Sequence, residues 1–107
     1  MESHHAIKTG VLYSLSEEQI LDCSHNRDHS CGGGMPAYAF QYLAAEGGQE
    51  LESAYPYTSG NNPSGHGKAA TCNFAKSKAA PNVTTAGSFN LTSGDLDQLQ
   101  AMVANVG

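Results

Sequence analysis

The 107 residues are enough for one small domain, and their 39% hydrophobic content is ordinary for a globular protein. The net charge of −5, with no basic stripe carrying interleaved aromatic residues, excludes the usual kind of nucleic-acid-binding surface. No apolar run approaches the roughly 20 residues that span a bilayer, and the first residues lack the charged-then-apolar order of a signal peptide.

The first predicted helix begins after Ser16. Ser16 would be its N-cap, and Gln19, three residues later, would complete a capping box. Leu15 would pack against Ile20 as a hydrophobic staple. The helix must be short, because a polar run at 24–30 leads into consecutive glycines, which disfavour helix.

The second predicted helix begins at Pro36, whose fixed φ and missing N–H suit the first helical position. Phe40 and Leu43 lie on one apolar stripe of this helix. The glycine pair at 47–48 ends it, so its predicted range is 36–46.

The rest of the chain is predicted to be irregular until its carboxyl end. Residues 49–80 have turn chemistry and no hydrophobic period, which indicates a loop. Residues 83–89 favour a short strand. Apolar residues at helical spacing predict a last helix over 93–106, with Asp95 in its first turn. The predicted fold class is therefore mainly α with long loops.

Three cysteines are an odd number, so at least one is free, bound to another chain or paired outside this segment. One candidate chemistry is a zinc site built from four ligand-type residues within nine positions, namely Cys23, His25, His29 and Cys31. Their spacing differs from the usual paired Cys-x-x-Cys and helical His motifs. A polar, exposed loop is the plainer interpretation, and no metal or cofactor is expected.

Nucleophilic catalysis by a cysteine is a second candidate chemistry. Cys23 closes a helix and Cys31 precedes three glycines, whereas an activated thiolate usually needs a helix amino terminus or a neighbouring cation. Structural disulfides are the plainer expectation for all the cysteines.

The run from Cys31 through three glycines to Met35 and Pro36 is a candidate peptide-docking edge. Glycines let another backbone approach closely, so an extended peptide could pair with an exposed amide and carbonyl there. Met35 and Pro36 would line an apolar pocket for one side chain of that peptide. Taken alone, a glycine-rich segment before a helix is more often simply a turn.

The order of the motifs resembles the papain and cathepsin L family of cysteine peptidases, from about Ile7 to Gly107. The matching pieces, in order, are Lys-Thr-Gly, Leu-Ser-Glu-Glu-Gln-Ile-Leu-Asp-Cys, Cys-Gly-Gly-Gly-Met-Pro, Tyr-Ala-Phe-Gln-Tyr, Gly-Gly, Tyr-Pro-Tyr and a cysteine. Family members carry Asn where this chain has Gly32, a departure that should loosen the turn. The resemblance implies that residues 1–107 form an incomplete domain, mostly the helical left-hand half of an α+β fold, ending before its barrel-like half.

The resemblance also implies roles for individual residues. Cys23 would pair with Cys72, and Cys31 would pair with a cysteine upstream of Met1. Gly33 and Gly34 would hydrogen-bond an extended substrate. The pocket that sets side-chain preference would include two further residues, Met35 and Pro36.

The family's catalytic cysteine, histidine and asparagine have no counterparts in this sequence, so the site residues expected here include no catalytic ones. We expect a fragment of a cysteine endopeptidase that supplies part of the cleft. The alternative is a non-catalytic structural or binding module, in which a partner protein covers the apolar faces of the helices at 36–46 and 93–106.

Further expectations follow from the family resemblance. Partners would be peptide or protein substrates, with a propeptide or cystatin-like inhibitors as further candidates. The location would be lysosomal, vacuolar or secreted. Asn82 and Asn90 each begin an Asn-x-Thr acceptor and would be glycosylated only in a chain that enters the secretory pathway.

Overall fold

The computed structural model describes residues 1–61 and 70–107. These ranges contain four α-helices: α1 (Glu2–Thr9), α2 (Glu17–Cys23), α3 (Pro36–Glu46) and α4 (Leu96–Asn105). Strand pairing within them is limited to two isolated bridges, Leu15–Leu51 and Glu50–Ala79. The described chain is therefore mainly α with long connections, as predicted. Among the helices described, none has both the length and the apolar character needed to cross a membrane.

The start of α2 confirms half of the predicted capping box. Ser16 Oγ accepts a hydrogen bond from the backbone N–H of Gln19 at 3.0 Å, which makes it the N-cap. The Gln19 side chain does not return to Ser16, because the backbone N–H of Ser16 donates instead to the carbonyl of Glu50 at 2.9 Å. The reciprocal half of the box was therefore wrong, and a long-range backbone contact takes its place.

The interior next to α2 is polar and fully hydrogen-bonded around one amide. Gln19 is completely buried. Its Oε1 accepts the N–H of Glu50 at 2.7 Å, while its Nε2 donates to Tyr42 Oη at 3.2 Å and to the carbonyl of Gly48 at 3.4 Å. Burying an amide costs little free energy when its hydrogen bonds are satisfied, and the bonds then fix how the neighbouring segments pack. Gln19 thus ties α2 to α3 and to the segment after it.

A small apolar cluster lies beside this polar centre. Leu15, Ala80 and Val83 are each at most 5% exposed and pack together, with Met1, Tyr13 and Leu51 partly buried against them. Leu43 of α3 is also buried. So few buried apolar side chains provide only a modest share of the stability that a small domain needs.

A buried carboxylate on α2 fastens the turn at 58–59. Glu18, 1% exposed, accepts the backbone N–H groups of Thr58 and Ser59 on Oε2 at 3.0 and 3.1 Å. Its Oε1 accepts the two hydroxyls of the same residues at 3.1 and 2.5 Å. Burial opposes ionisation, but these hydrogen bonds outweigh it and hold the pKa of the Glu18 carboxyl below its ordinary value of 4.5.

A disulfide joins the end of α2 to the irregular segment around residue 72. Cys23 is bonded to Cys72, with a sequence separation of 49 residues. Beside it, Asp22 accepts the N–H of Ala70 at 2.7 Å and the hydroxyl of Tyr55 at 2.9 Å. This is the pairing that the family resemblance implies.

The predicted strand at 83–89 was wrong, since no strand is assigned to these described residues. Val83 is buried in the apolar cluster, but the chain then makes local contacts. Thr85 Oγ1 donates to the carbonyl of Gly87 at 3.1 Å and accepts its N–H at 3.2 Å. Such side-chain to backbone bonds compete with strand pairing, and Gly87 has a φ of 121° that a strand does not allow.

Both terminal helices differ from the sequence prediction. The last helix starts at Leu96 rather than 93, because Asp95 is its N-cap and accepts the N–H of Gln98 at 2.9 Å. It ends one residue earlier than predicted, at Asn105. No helix was predicted where α1 lies; it is followed by Gly10 as C-cap, with a φ of 77°, and has no buried residue. Only Ala6 and Ile7 of α1 are apolar, so its sequence shows no apolar stripe from which a helix could be predicted.

Candidate functional site

The glycine run lies in a loop that joins α2 to α3 and is fastened at both ends. At its start, the disulfide of Cys23 holds the end of α2. At its end, Pro36 occupies the first turn of α3, as predicted. Between them, the Arg27 guanidinium lies over the ring of Tyr38 on α3, 5.2 Å from its centroid. This cation–π contact ties the middle of the loop to the second helix.

The first part of the glycine run is folded into a tight turn. Residues Ser30–Gly32 form a single 3-10 turn, in which the N–H of Gly33 donates to the carbonyl of Ser30 at 3.2 Å. The carbonyl of Gly33 in turn accepts the N–H of His29 at 2.8 Å. Gly33 has φ 112° and ψ 173°, a conformation that is essentially restricted to glycine.

Gly34 presents two available backbone groups at the end of this edge. Its two neighbours already have hydrogen-bond partners. Both backbone groups of Gly33 bond within the turn, and the N–H of Met35 donates to Asp28 Oδ1 at 3.0 Å. Within residues 1–61 and 70–107, neither the N–H nor the C=O of Gly34 has a hydrogen-bond partner. Gly34 is exposed, so it offers a donor and an acceptor to an approaching backbone.

Met35 and Pro36, which were predicted to line one pocket, lie in different surroundings. Met35 is 54% exposed, beyond the end of the glycine turn. Pro36 contributes to the wall of an apolar cavity of about 490 Å³, together with Phe40 and Leu43 of α3 and Ile20 of α2. Gly34, Met35 and Pro36 are consecutive, but only Pro36 lines this cavity. A pocket lined by both Met35 and Pro36 stays a prediction.

The cysteines leave little basis for a zinc site. Cys23 is oxidised in the disulfide and cannot act as a thiolate ligand. His25 and His29 are exposed and lie outside the helices. No group of three or more potential ligands was found in the parts of the chain that the structure describes. Cys31 is exposed and has no partner within the chain.

Both Asn-x-Thr acceptors are accessible on the surface. Asn82 is exposed and lies in a turn with a φ of 59°, and Asn90 is exposed in the irregular segment before α4. An exposed side chain is accessible to such a modification. Their modification remains a prediction.

One residue that supports this edge from outside it, Asp28, was not among the predicted site residues. Its carboxylate accepts the N–H of Met35 and, on the other oxygen, the hydroxyl of Ser24 at 2.7 Å. An acid in a polar loop has no distinctive sequence signal. A Ser-x-x-x-Asp spacing just beyond a helix end is compatible with such a contact but is not specific to it.

Comparison with known proteins places these features in a family context. The family model for papain family cysteine proteases, which describes their shared sequence pattern, matches residues 1–107. Pro-cathepsin H of Medicago truncatula is 39% identical over 105 residues, 97% of this chain and 27% of that protein. Zingipain-1 of Zingiber officinale is 42% identical over 106 residues, 98% of this chain and 42% of that protein. The cathepsin L-like peptidase of Aedes aegypti is 37% identical, covering 100% of this chain and 29% of that protein.

The fold is also similar to that of solved structures. Digestive procathepsin L 3 from the larval midgut of Tenebrio molitor superposes with a TM-score of 0.80 and 35% identity, over 99% of this chain and 32% of that chain. Digestive procathepsin L2 from the same source gives a TM-score of 0.81 with 32% identity, over 98% of this chain and 30% of that one. The chain spans 27% to 42% of the length of the curated relatives named above.

Proposed function

Because the chain belongs to the papain family of cysteine proteases, we propose that it supplies one wall of the substrate cleft of a cysteine endopeptidase. The observation that carries this proposal is the N–H and C=O of Gly34, an exposed residue after the turn, neither of which has a hydrogen-bond partner in the described part of the chain. The chain would hold the peptide but would not hydrolyse it by itself.

The binding mode would be backbone pairing. An extended peptide laid along residues 33–35 donates its N–H to the carbonyl of Gly34 and accepts the amide of Gly34 on its own carbonyl. Each such bond contributes about 0.5–1.5 kcal/mol net, whatever the peptide sequence. Met35, with its flexible thioether, would contact one apolar side chain of the peptide and add a preference.

Catalysis would need groups that this chain does not bring together. Peptide hydrolysis by a thiolate requires a nearby base and donors for the oxyanion. Cys23 and Cys72 are joined in a disulfide, and only Cys31 is left as a thiol. The family resemblance assigns Cys31 to a bridge with a cysteine outside the chain, so the nucleophile would also come from outside it.

Backbone pairing predicts a specific response to a short blocked peptide with a central leucine. We expect that titrating the ¹⁵N-labelled chain with it shifts the amide resonance of Gly34, with a Kd of about 1 mM or weaker, because two hydrogen bonds and one apolar contact must first offset the freedom lost on association. The matched control is the same peptide with a methyl group on the leucine nitrogen. The control peptide lacks the donated N–H and should bind several-fold more weakly.

Two outcomes of this titration would contradict the proposal. One is equal shifts with both peptides, which would show that backbone pairing does not contribute. The other is a response confined to residues away from 33–36. A fluorogenic peptide assay run in parallel should give no hydrolysis with the chain alone, and turnover that disappears in a Cys31→Ser variant would contradict the absence of a catalytic role.

The same edge suggests the partners and the location. A propeptide or a cystatin-like inhibitor that lies along the cleft would use Gly34 as a substrate does. Lysosomal, vacuolar or secreted location would suit both the disulfide and the two exposed acceptors at Asn82 and Asn90. These assignments follow from the proposed peptidase role.

A second candidate function, a structural or binding module covered by a partner protein, is favoured by the apolar surface of α4. Leu96, Leu99 and Val103 recur on one face of this helix and are 75%, 49% and 63% exposed. The cavity beside α3 adds a further apolar surface. Monomeric proteins rarely leave continuous apolar faces uncovered.

The uncovered faces predict self-association of the purified chain. We expect size-exclusion chromatography with light scattering to give species larger than a monomer, and Leu96→Lys with Leu99→Lys to shift the distribution toward monomer. Ala101→Lys with Ala104→Lys, at exposed positions of the same helix, adds the same charge and is the matched control. A monodisperse wild-type monomer across the concentration range would count against a covering partner.

A further inference from the structure

One carboxylate connects the beginning and the end of the loop that carries the glycine edge. Asp28 Oδ2 accepts the hydroxyl of Ser24, the C-cap of α2, at 2.7 Å. Asp28 Oδ1 accepts the N–H of Met35, the N-cap of α3, at 3.0 Å. Because both oxygens are used, the carboxylate has a fixed orientation between the two helices.

The same carboxylate is in tight contact with Gly34. A Cβ atom built on Gly34 would lie 2.8 Å from Asp28 Cγ, which is closer than such atoms approach, and 3.0 Å from Asp28 Cβ. The backbone of Gly34 therefore rests directly against Asp28. This contact and the bond to Met35 together restrict the position of Gly34 relative to Asp28.

We propose that Asp28 is a positioning residue for peptide binding, which orients the backbone of Gly34 by bonding Met35 and packing against Gly34 itself. This inference rests on the proposed function of the edge. Asp28 would not touch the peptide. Its contribution is to hold the edge in its pairing geometry before the peptide arrives, so that less conformational entropy is lost on binding.

The chemistry of the contacts predicts which substitutions preserve the role. Asn keeps an oxygen for the N–H of Met35, and its amide group can donate to Ser24 Oγ, since a hydroxyl also accepts. Asp28→Asn should therefore retain most of the positioning. Asp28→Ala removes both bonds. Asp28→Ser also loses them, because its side chain is too short to span the gap, while serine remains well suited to a loop.

The test measures peptide affinity and amide exchange on the full chain with these variants. The probe is the blocked leucine peptide, followed by the Gly34 resonance. We expect Asp28→Ala and Asp28→Ser to weaken its binding and to speed hydrogen exchange at the Met35 amide by about tenfold or more, as loss of a hydrogen bond to a charged group implies. Asp28→Asn should stay within about threefold of wild type, and so should the control Asn26→Ala, an exposed residue of the same loop.

The outcomes separate this inference from the proposed function. If wild type binds the peptide and Asp28→Ser binds it equally well, the positioning role is overturned. If wild type does not bind, the proposed function fails, and the exchange rate of the Met35 amide still decides whether Asp28 fixes the edge. If both Asp28→Ala and Asp28→Ser lose the global unfolding transition, Asp28 supports the fold as a whole and the inference is overturned.

Discussion

Replacing Cys23 and Cys72 together by serine is expected to lower the free energy of unfolding by about 4 kcal/mol. The disulfide closes a 49-residue loop, and in the chain-entropy model a loop of this size restricts the unfolded chain by that amount. Urea denaturation followed by far-ultraviolet circular dichroism would measure the loss.

This cost is large for a chain with so small an apolar core. Small domains have total stabilities of about 5–15 kcal/mol, and the described core has only four buried apolar residues, Leu15, Leu43, Ala80 and Val83. The bonds of Asp22 to Ala70 and Tyr55 would persist without the disulfide. They are too few to replace a covalent link, so we expect the double variant to be largely unfolded at 37 °C.

Cys31→Ser is the matched control for the disulfide prediction. Cys31 is exposed and unpaired within the chain, so its replacement should change stability by no more than about 0.5 kcal/mol. An unchanged urea midpoint in the Cys23/Cys72 double variant would contradict the prediction.

Replacing Glu18 by alanine is expected to cost about 3 kcal/mol. The change removes the acceptor for the amides and hydroxyls of Thr58 and Ser59 and leaves the buried donors of Ser59 without partners. An unsatisfied buried donor costs about 1–3 kcal/mol, and bonds to a charged acceptor are stronger than neutral ones. Chemical denaturation at neutral pH would measure the change.

The same carboxylate predicts acid sensitivity. The pKa of Glu18 is lower in the folded chain than its ordinary value of 4.5, so its ionised form stabilises the fold. That contribution is complete above the unfolded pKa and is lost as the pH falls through the lowered folded pKa. Glu18→Gln should therefore lower stability at neutral pH and reduce the loss of stability seen on acidification below about pH 4.5.

Glu17, the preceding residue of α2, is the matched control for both measurements. It carries the same charge on the same first turn but is exposed. Glu17→Ala and Glu17→Gln should change stability by about 0.5 kcal/mol or less and leave the acid transition of the wild type intact. If the Glu17 and Glu18 variants respond alike, the loss of stability would come from the charge on the helix and not from the hydrogen bonds of Glu18 to Thr58 and Ser59.

The local features of the sequence predicted the central part of the fold. Pro36 and the glycine pair at 47–48 bounded α3 correctly, because each acts through its own backbone conformation. Ser16 was identified as an N-cap for the same reason. Capping and turn preferences depend on a few neighbouring residues, and these can be read from the sequence.

Long-range contacts explain what the sequence did not show. Gln19 resembled half of a capping box, but its side chain bonds Glu50 across 31 residues instead. No local pattern distinguishes Glu18 from a surface acid of a helix, yet it is buried against a turn 40 residues away. Asp28 lay in an unremarkable polar loop. Each role depends on which distant segment packs against the residue, and one sequence does not encode that pairing in a local pattern.

The most direct test of the peptide-binding edge is the set of intermolecular nuclear Overhauser effects between the labelled chain and the blocked leucine peptide. We predict contacts from the peptide backbone to Gly34 and from the leucine side chain to Met35. Contacts confined to the exposed face of α4, at Leu96, Leu99 and Val103, with none at Gly34, would contradict the assignment of a substrate-cleft wall to this chain.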